Sequence, residues 1–322
     1  PSGVTAAATD AGGSHGGLGT LFSGTGPVGE VFDSLYQPQL GGGGGSLRTA
    51  ATGRHGGNGG GAITLNVGTL ALNGEIRSLG DGKPAGTTNS EAGGAGGTVL
   101  ITADTLSGAG TIDVSGGDYK ASNTVDPNKA GSGGGGRVAL YVGSFSSFDP
   151  STQVKARGGV LKDYYSAIVR YASPGTLFVK LPSQTSGKLY VDEGGISGSS
   201  IVNTVLPTLG AGTVGTAAAD AVSPNALWVT PSDPAARFSL GTVGMWVKVN
   251  GAYYRVVDQS ADRRQLLLAG AAGAVHTGDA YRGVYRFDEV IVRGGAKLEF
   301  RDDREVTTFT IDTTSSVIPS VP

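Results

Sequence analysis

The chain contains no cysteine, which removes disulfide staples, thiolate nucleophiles and cysteine-ligated zinc from consideration. It lacks any run of about 18 apolar residues, so no membrane-spanning helix is predicted. Charge of one sign is missing too: 24 basic residues face 26 acidic ones, for a formal net charge of −2. Such a balance leaves no electrostatic footprint for nucleic acid, and none is expected as a partner. No long stretch carries a 3.6-residue period, so helix is expected to stay below roughly 10%. No leader-like segment opens the chain, which starts at Pro1, and we expect a processed chain or a piece of a longer one. A secreted protein without disulfides points to bacteria rather than eukaryotes, although the same absence fits a cytosolic protein.

What the chain has is glycine. Its 58 glycines in 322 residues are well over twice the ordinary share of about 7%. Glycine-rich chains are collagenous, disordered or built from repeats. Collagen needs glycine at every third position, and no such period exists here. Disorder needs low hydrophobicity or high net charge, whereas 38% of this chain is hydrophobic. A repeat architecture remains. The runs at 41–45 and 131–136 are then expected at turns and in surface loops.

The repeat is visible in four segments that each open on glycine and continue as an alternating strand: Gly61-AITLNV, Gly97-TVLITA, Gly136-RVALYV and Gly175-TLFVKL. Their first apolar positions, Ile63, Val99, Val138 and Leu177, lie 36, 39 and 39 residues apart. A fixed period of that size signals a solenoid whose units stack. Residues 61–80 also align without a gap on 97–116, matching Leu70 to Leu106 and Ile76 to Ile112. Alternation puts Ile63, Leu65 and Val67 on one face and Thr64 and Asn66 on the other. The spacing predicts one interior column of Ile63, Val99, Val138 and Leu177, and a second of Leu65, Ile101, Leu140 and Val179.

Four regions follow from this reading. Residues 1–60 read as glycine-rich opening coils or loops, and 61–198 as the β-helix coils, with long polar loops at 81–95 and 117–135. Past residue 199 glycine thins out and strand-like runs appear (ALWVT, MWVKV, YYRVV, QLLLA, YRGVYRF). Asn250-Gly251 between two alternating runs is a strong hairpin signal. Residues 199–286 therefore read as an inserted small β module of SH3-like barrel type. Residues 287–322 return to coil-like sequence, and the strand at 287–292 is expected to pair beside the coil ending near Val191.

Residues suited to chemistry are few. His15 and His55 sit in similar glycine contexts, read either as a stacked pair for an anion or metal or as loop fillers; His276 has no partner in view. A metal site needs three or four ligands at recognisable spacing, and none is predicted; no cofactor is expected either. Asp302-Asp303 and the single carboxylates Asp113, Asp118 and Asp126 could in principle supply the acid pair of a glycosidase, but Asp302-Asp303 reads as a polar turn. Aromatic residues offer more. Tyr119, Tyr141, Tyr164, Tyr165 and Phe178 fall near the third and fourth units, with Tyr141 and Phe178 at outward strand positions. These five are the candidate ligand-binding residues, since exposed rings stack on sugars or partner surfaces. The competing reading is that loops or the inserted module cover them.

The stretches SHGGLGTLF, DSLYQPQLGGGGGS, GGNGGGAITLNVGTLALNGEI, GGAGGTVLITADTLSGAGTIDVSGG and GGGGRVALYVG, within residues 12–160, resemble glycine-rich repeats of very large secreted or surface-anchored bacterial adhesin-type proteins. The resemblance implies an all-β, right-handed parallel β-helix at the cell surface or outside the cell. It implies a non-catalytic stalk, scaffold or adhesive segment within a larger polypeptide or assembly, with a surface glycan or another protein chain as partner. It carries no catalytic motif. A polysaccharide-binding or -processing β-helix, of lyase, glycosidase or phage-tailspike type, is the alternative.

Overall fold

The computed structural model describes residues 10–21, 28–46, 55–82, 91–120, 130–162, 165, 167–195 and 201–318. Among them the only helix is the four-residue Pro150–Gln153, capped by the Asp149 side chain. The protein is all-β, but it is not the regular parallel β-helix that the repeat predicted. Its main sheet has 12 strands and mixes parallel with antiparallel pairing.

The parallel part holds the repeat. Strands Ala62–Ala71, Thr98–Ser107, Arg137–Ser146 and Thr176–Lys180 lie side by side, with Ile63 on Val99, Val99 on Val138 and Val138 on Leu177. Leu65, Ile101, Leu140 and Val179 form the second column in the same register. Val99, Ile101, Val138 and Leu140 are fully buried, each such side chain stabilising the fold by about 1.5–3 kcal/mol relative to exposure. A small parallel sheet, Glu75–Arg77, Thr111–Asp113 and Val154–Lys155, closes over this core with Ile76, Ile112 and Val154.

Regular coiling stops at the fourth strand. Thr176–Lys180 is followed by a reversal through Pro182 and Gly187, and Lys188–Asp192 returns antiparallel to it, Leu177 facing Tyr190. Gly187 has φ of +81°, and a Cβ there would strike the Phe178 ring. Lys188–Asp192 then pairs in parallel with the second half of the long strand Ala280–Arg293, Val191 opposite Val292. That pairing is the one expected for the segment after 287.

The glycine run at 131–136 is not a surface loop, and that at 41–45 is half-buried, with Gly44 exposed and the amides of Gly42, Gly43 and Gly45 bonded to neighbouring segments. Residues 11–17, 91–97 and 131–136 are buried, and their order comes from the backbone. In segment 92–97 the amides of Ala92 and Ala95 donate to Ser46 and Gly43, those of Gly93 and Gly96 to Gly131 and Gly134, and those of Gly94 and Gly97 to Asp81 and Ser78, at 2.8–3.1 Å. Its carbonyls accept from Gly57 and Gly60, from Gly13, and from Gly117. Six neighbours are thus bound, and each donor direction recurs every third residue. A three-residue repeat without internal hydrogen bonds is the habit of polyproline II chains. The Cβ position of almost every glycine in this bundle coincides with a neighbouring backbone atom. The opening region contributes to it directly, since Gly12 to Thr20 and 41–46 are bundle members, not loops laid on a solenoid.

Six further strand segments close a ring. Around it run Ala211–Ala219, Leu227–Pro231, Leu266–Leu268, Ala252–Gln259, Trp246–Val249 and the first half of Ala280–Arg293, which returns to Ala211–Ala219. Every pairing is antiparallel, so six strands form a small closed barrel filled by Val214, Val229, Phe238, Val247, Val249 and Leu268. Asn250 and Gly251, both at positive φ, make its hairpin turn. The boundary expected at 286/287 falls inside the strand Ala280–Arg293, which serves barrel and sheet alike.

Candidate functional site

Of the five aromatic residues predicted to bind a ligand, four lie among the described residues, and two of those four are buried. Tyr119 is 1% exposed and packs with Ala92, Ala130 and Leu161. Phe178 is 2% exposed, with its ring edge-on to Tyr36 at 5.0 Å. Both are therefore closed to a sugar ring. Tyr141 is half-buried; its hydroxyl donates to the Tyr36 carbonyl at 2.8 Å and accepts from Arg255 Nη2 at 3.2 Å. Tyr165 is exposed at 77%, and Tyr164 lies outside the described residues. The alternation did put Tyr141 and Phe178 on the face opposite the aliphatic columns. That face, however, is covered by Leu35, Tyr36 and the barrel strands.

The histidines are not equivalent corners. His15 is fully buried, its Nδ1 2.8 Å from the Gly96 carbonyl and its Nε2 3.6 Å from Asp33, whereas His55 is exposed. Asp33, itself buried, accepts from the amides of Ser34, Gln39 and Leu40. Beside it the buried Arg137 donates to the Phe32 carbonyl and the Thr176 hydroxyl, both at 3.0 Å. Burial lowers the Arg137 pKa, and the Asp33 charge opposes that. These groups tie bundle, sheet and barrel together. The carboxylates act likewise: Asp302 is buried and accepts from Thr208, Leu209 and Gly210, while Asp303 pairs with Arg282 at 3.0 Å. Asp113 and Asp118 accept from Ser115 and Val160; Asp126 lies outside the described residues. No group of three or more His, Asp or Glu is placed to hold a metal among the described residues.

One part-exposed constellation stands out, on the barrel wall. Trp246 and Lys248 project outward from one strand because Val247 and Val249 point inward. Directly across, Trp246 pairs with Arg255 and Lys248 with Tyr253. Arg286 adds to the same face, and its register partner is Glu305. The Arg255 and Arg286 guanidinium carbons lie 5.4 and 5.2 Å from the Trp246 ring centre, and Arg286 is 4.2 Å from that of Tyr253. Lys248 Nζ is 2.9 Å from the Tyr253 hydroxyl and 3.2 Å from Glu305, which also accepts from that hydroxyl and lies 3.3 Å from Arg286. Partial burial pushes the Glu305 carboxyl up, but the Tyr253 hydroxyl and Lys248 together bring it below its ordinary value. Arg255 joins the face to Tyr141.

Three cations against one carboxylate, laid over two aromatic rings, form a surface of charge and π contact. Guanidinium–ring contacts contribute about 0.5–1 kcal/mol at exposed sites and more when a partner excludes water. Trp, Tyr and Arg are the residues that dominate binding energy at interfaces. Of this set only Tyr141 was predicted. The MWVKV-Asn-Gly-AYYRV hairpin does place Trp246, Lys248, Tyr253 and Arg255 on one face, a signal present in the sequence. Arg286 and Glu305 come from distant strands. No protein-family model, curated protein or solved structure matches the chain. Among the described residues no helix is long and apolar enough to cross a membrane.

Proposed function

We propose that this chain is a non-catalytic adhesive or scaffold segment of a large extracellular bacterial protein, holding a recognition face on a rigid frame. The observation that carries the reading is the cation–aromatic face of Trp246, Tyr253, Arg255 and Arg286. It stands on strands of the main sheet. A frame ordered by backbone hydrogen bonds in three directions suits a segment that bears load, and the face supplies contact with a surface glycan or another protein chain. The resemblance of its glycine-rich repeats to surface-protein repeats agrees with an extracellular location.

The test is binding of the chain to an array of bacterial surface glycans and to immobilised surface proteins, alongside Trp246→Ala and Arg286→Ala. A hot-spot residue costs about 2 kcal/mol or more on truncation, so each variant should lose at least roughly thirtyfold in affinity for the same partner. Unaltered binding by both variants would contradict the assignment. So would turnover of a polysaccharide, seen as new reducing ends or unsaturated products.

A further inference from the structure

Among the described residues, two strands of the main sheet are paired along one edge only and end its stack: Ala62–Ala71, beside Thr98–Ser107, and Asp303–Ile311, beside Ala280–Arg293. At each end the interior columns run out to the surface. Ile63, Leu65 and Val67 continue the rows of Val99, Ile101 and Ala103, and Val67 is 37% exposed. Phe309 and Ile311 continue those of Val290 and Val292, and are 39% and 44% exposed where the two valines are fully buried.

Open strand edges are ordinarily blunted by charge, proline or a bulge, because a bare edge recruits another strand. Residues 62–71 and 306–311 carry neither charge nor proline. The charged start of the second strand is engaged on the barrel wall, Asp303 with Arg282 and Glu305 with Lys248 and Arg286.

Gly61 gives an independent sign of what belongs on the first edge. Its repeat counterparts Gly97, Gly136 and Gly175 have no room for a side chain. A Cβ on each would meet the carbonyl oxygen of the preceding coil, that of Gly61, Gly97 or Gly136, at 1.8–2.1 Å. Gly61 has no described atom within 4 Å of that position, and its φ is not positive. Neither space nor backbone conformation requires glycine there, whereas one more strand stacked on the end would.

The two ends match through a half-turn. Ile63 and Leu65 pack on the core of Val99, Ile101 and Leu140, and Phe309 meets Phe300 in the core of Val290 and Val292. These cores lie on opposite faces of the sheet, since the adjacent residues Leu177 and Phe178 belong one to each. The end strands also run in opposite directions, because the stack reverses once, between Thr176–Lys180 and Lys188–Asp192. A half-turn about the stacking direction reverses both face and direction. A second copy so turned lays its 306–311 edge parallel to residues 62–71, with Phe309 and Ile311 on the side of Ile63 and Leu65.

We propose that the chain assembles head to tail with copies of itself, the 306–311 edge of one pairing in parallel with the 62–71 edge of the next. Such an interface is heterologous and does not close, so it builds a filament. None of these residues belongs to the cation–aromatic face, and assembly is independent of what that face binds.

Sedimentation velocity at rising protein concentration, with electron microscopy of the assembled material, tests it. The wild type should form a ladder of species that lengthens with concentration. Gly61→Val should keep the melting temperature of the wild-type monomer and associate at least about tenfold more weakly. Ile311→Lys, at the other end, should weaken association by a similar factor. An equimolar mixture of the two variants retains one intact pair of ends and should form dimers and nothing longer. Val222→Lys, in an exposed barrel turn, should assemble as the wild type does. A wild type that stays monomeric, Gly61→Val assembling unimpaired, or a mixture without dimers would each overturn the proposal. So would dimers of Ile311→Lys alone, which would mean that the 62–71 edge pairs with itself.

Discussion

Gly96 lies so close to Val114 that a Cβ on Gly96 would sit 1.7 Å from the Val114 carbonyl oxygen, far inside van der Waals contact. The same backbone donates its amide to Gly134 at 2.9 Å and accepts at its carbonyl from the His15 ring. Bundle spacing is thus set by bare backbones, and a methyl group there meets backbone that cannot yield. Gly96→Ala should cost about 3 kcal/mol or more, at or above the usual range for overpacking. Gly74→Ala, where nothing lies within 4 Å, should leave the melting temperature nearly unchanged. Paired thermal melts of the two variants check this.

Tyr36 sits at the joint. Its ring stacks on Phe287 at 5.6 Å and meets Phe178 edge-on, and its hydroxyl both donates to the Arg286 carbonyl and accepts from the Arg286 amide. Burial pushes its phenol pKa well up. Tyr36→Phe keeps the packing but leaves a backbone donor without its partner, a loss of about 1–3 kcal/mol. Denaturant melts should show a lower midpoint with the slope preserved.

Glu193 supplies a pH test. It is buried, accepts one hydrogen bond from the Gly158 amide at 3.2 Å, and burial raises its pKa well above the ordinary carboxylate value. An acid whose folded pKa is raised keeps its proton longer in the folded state, so the folded state is penalised as pH rises from the unfolded value through the folded one. Glu193→Gln retains an acceptor for Gly158 and removes the charge. The variant should match the wild type near pH 4 and melt higher at neutral pH and above. A variant that melts lower than the wild type at pH 7 would show that the ionised carboxylate is stabilising.

The sequence made the strand register legible but not the interior it serves. Ile63, Val99, Val138 and Leu177 could be matched because period-2 alternation and a near-constant spacing fix which side chains meet. The glycine runs gave no such handle, since periodicity is read from side chains and glycine has none. In collagen one position in three faces the crowded axis. Here all three directions of segment 92–97 face a neighbour, so GGAGG appears as an unbroken run and resembles a flexible loop. The reversal at Gly187 was signalled by Pro182 and the glycine itself, yet the alternation on either side of it reads the same for parallel or antiparallel pairing. The burial of Phe178 depended on Tyr36 and Phe287, more than 100 residues away, which no local pattern reveals.

The glycine segments form a hydrogen-bonded interior, and residue-resolved amide hydrogen exchange measures that directly. The amides of Gly93, Gly94, Gly96, Gly133, Gly134 and Gly136 should exchange as slowly as those of Ile101 and Leu140 in the central strands, with protection approaching that of global unfolding. Exchange of these glycines at the rates of unprotected loops, while Ile101 and Leu140 stay protected, would contradict it.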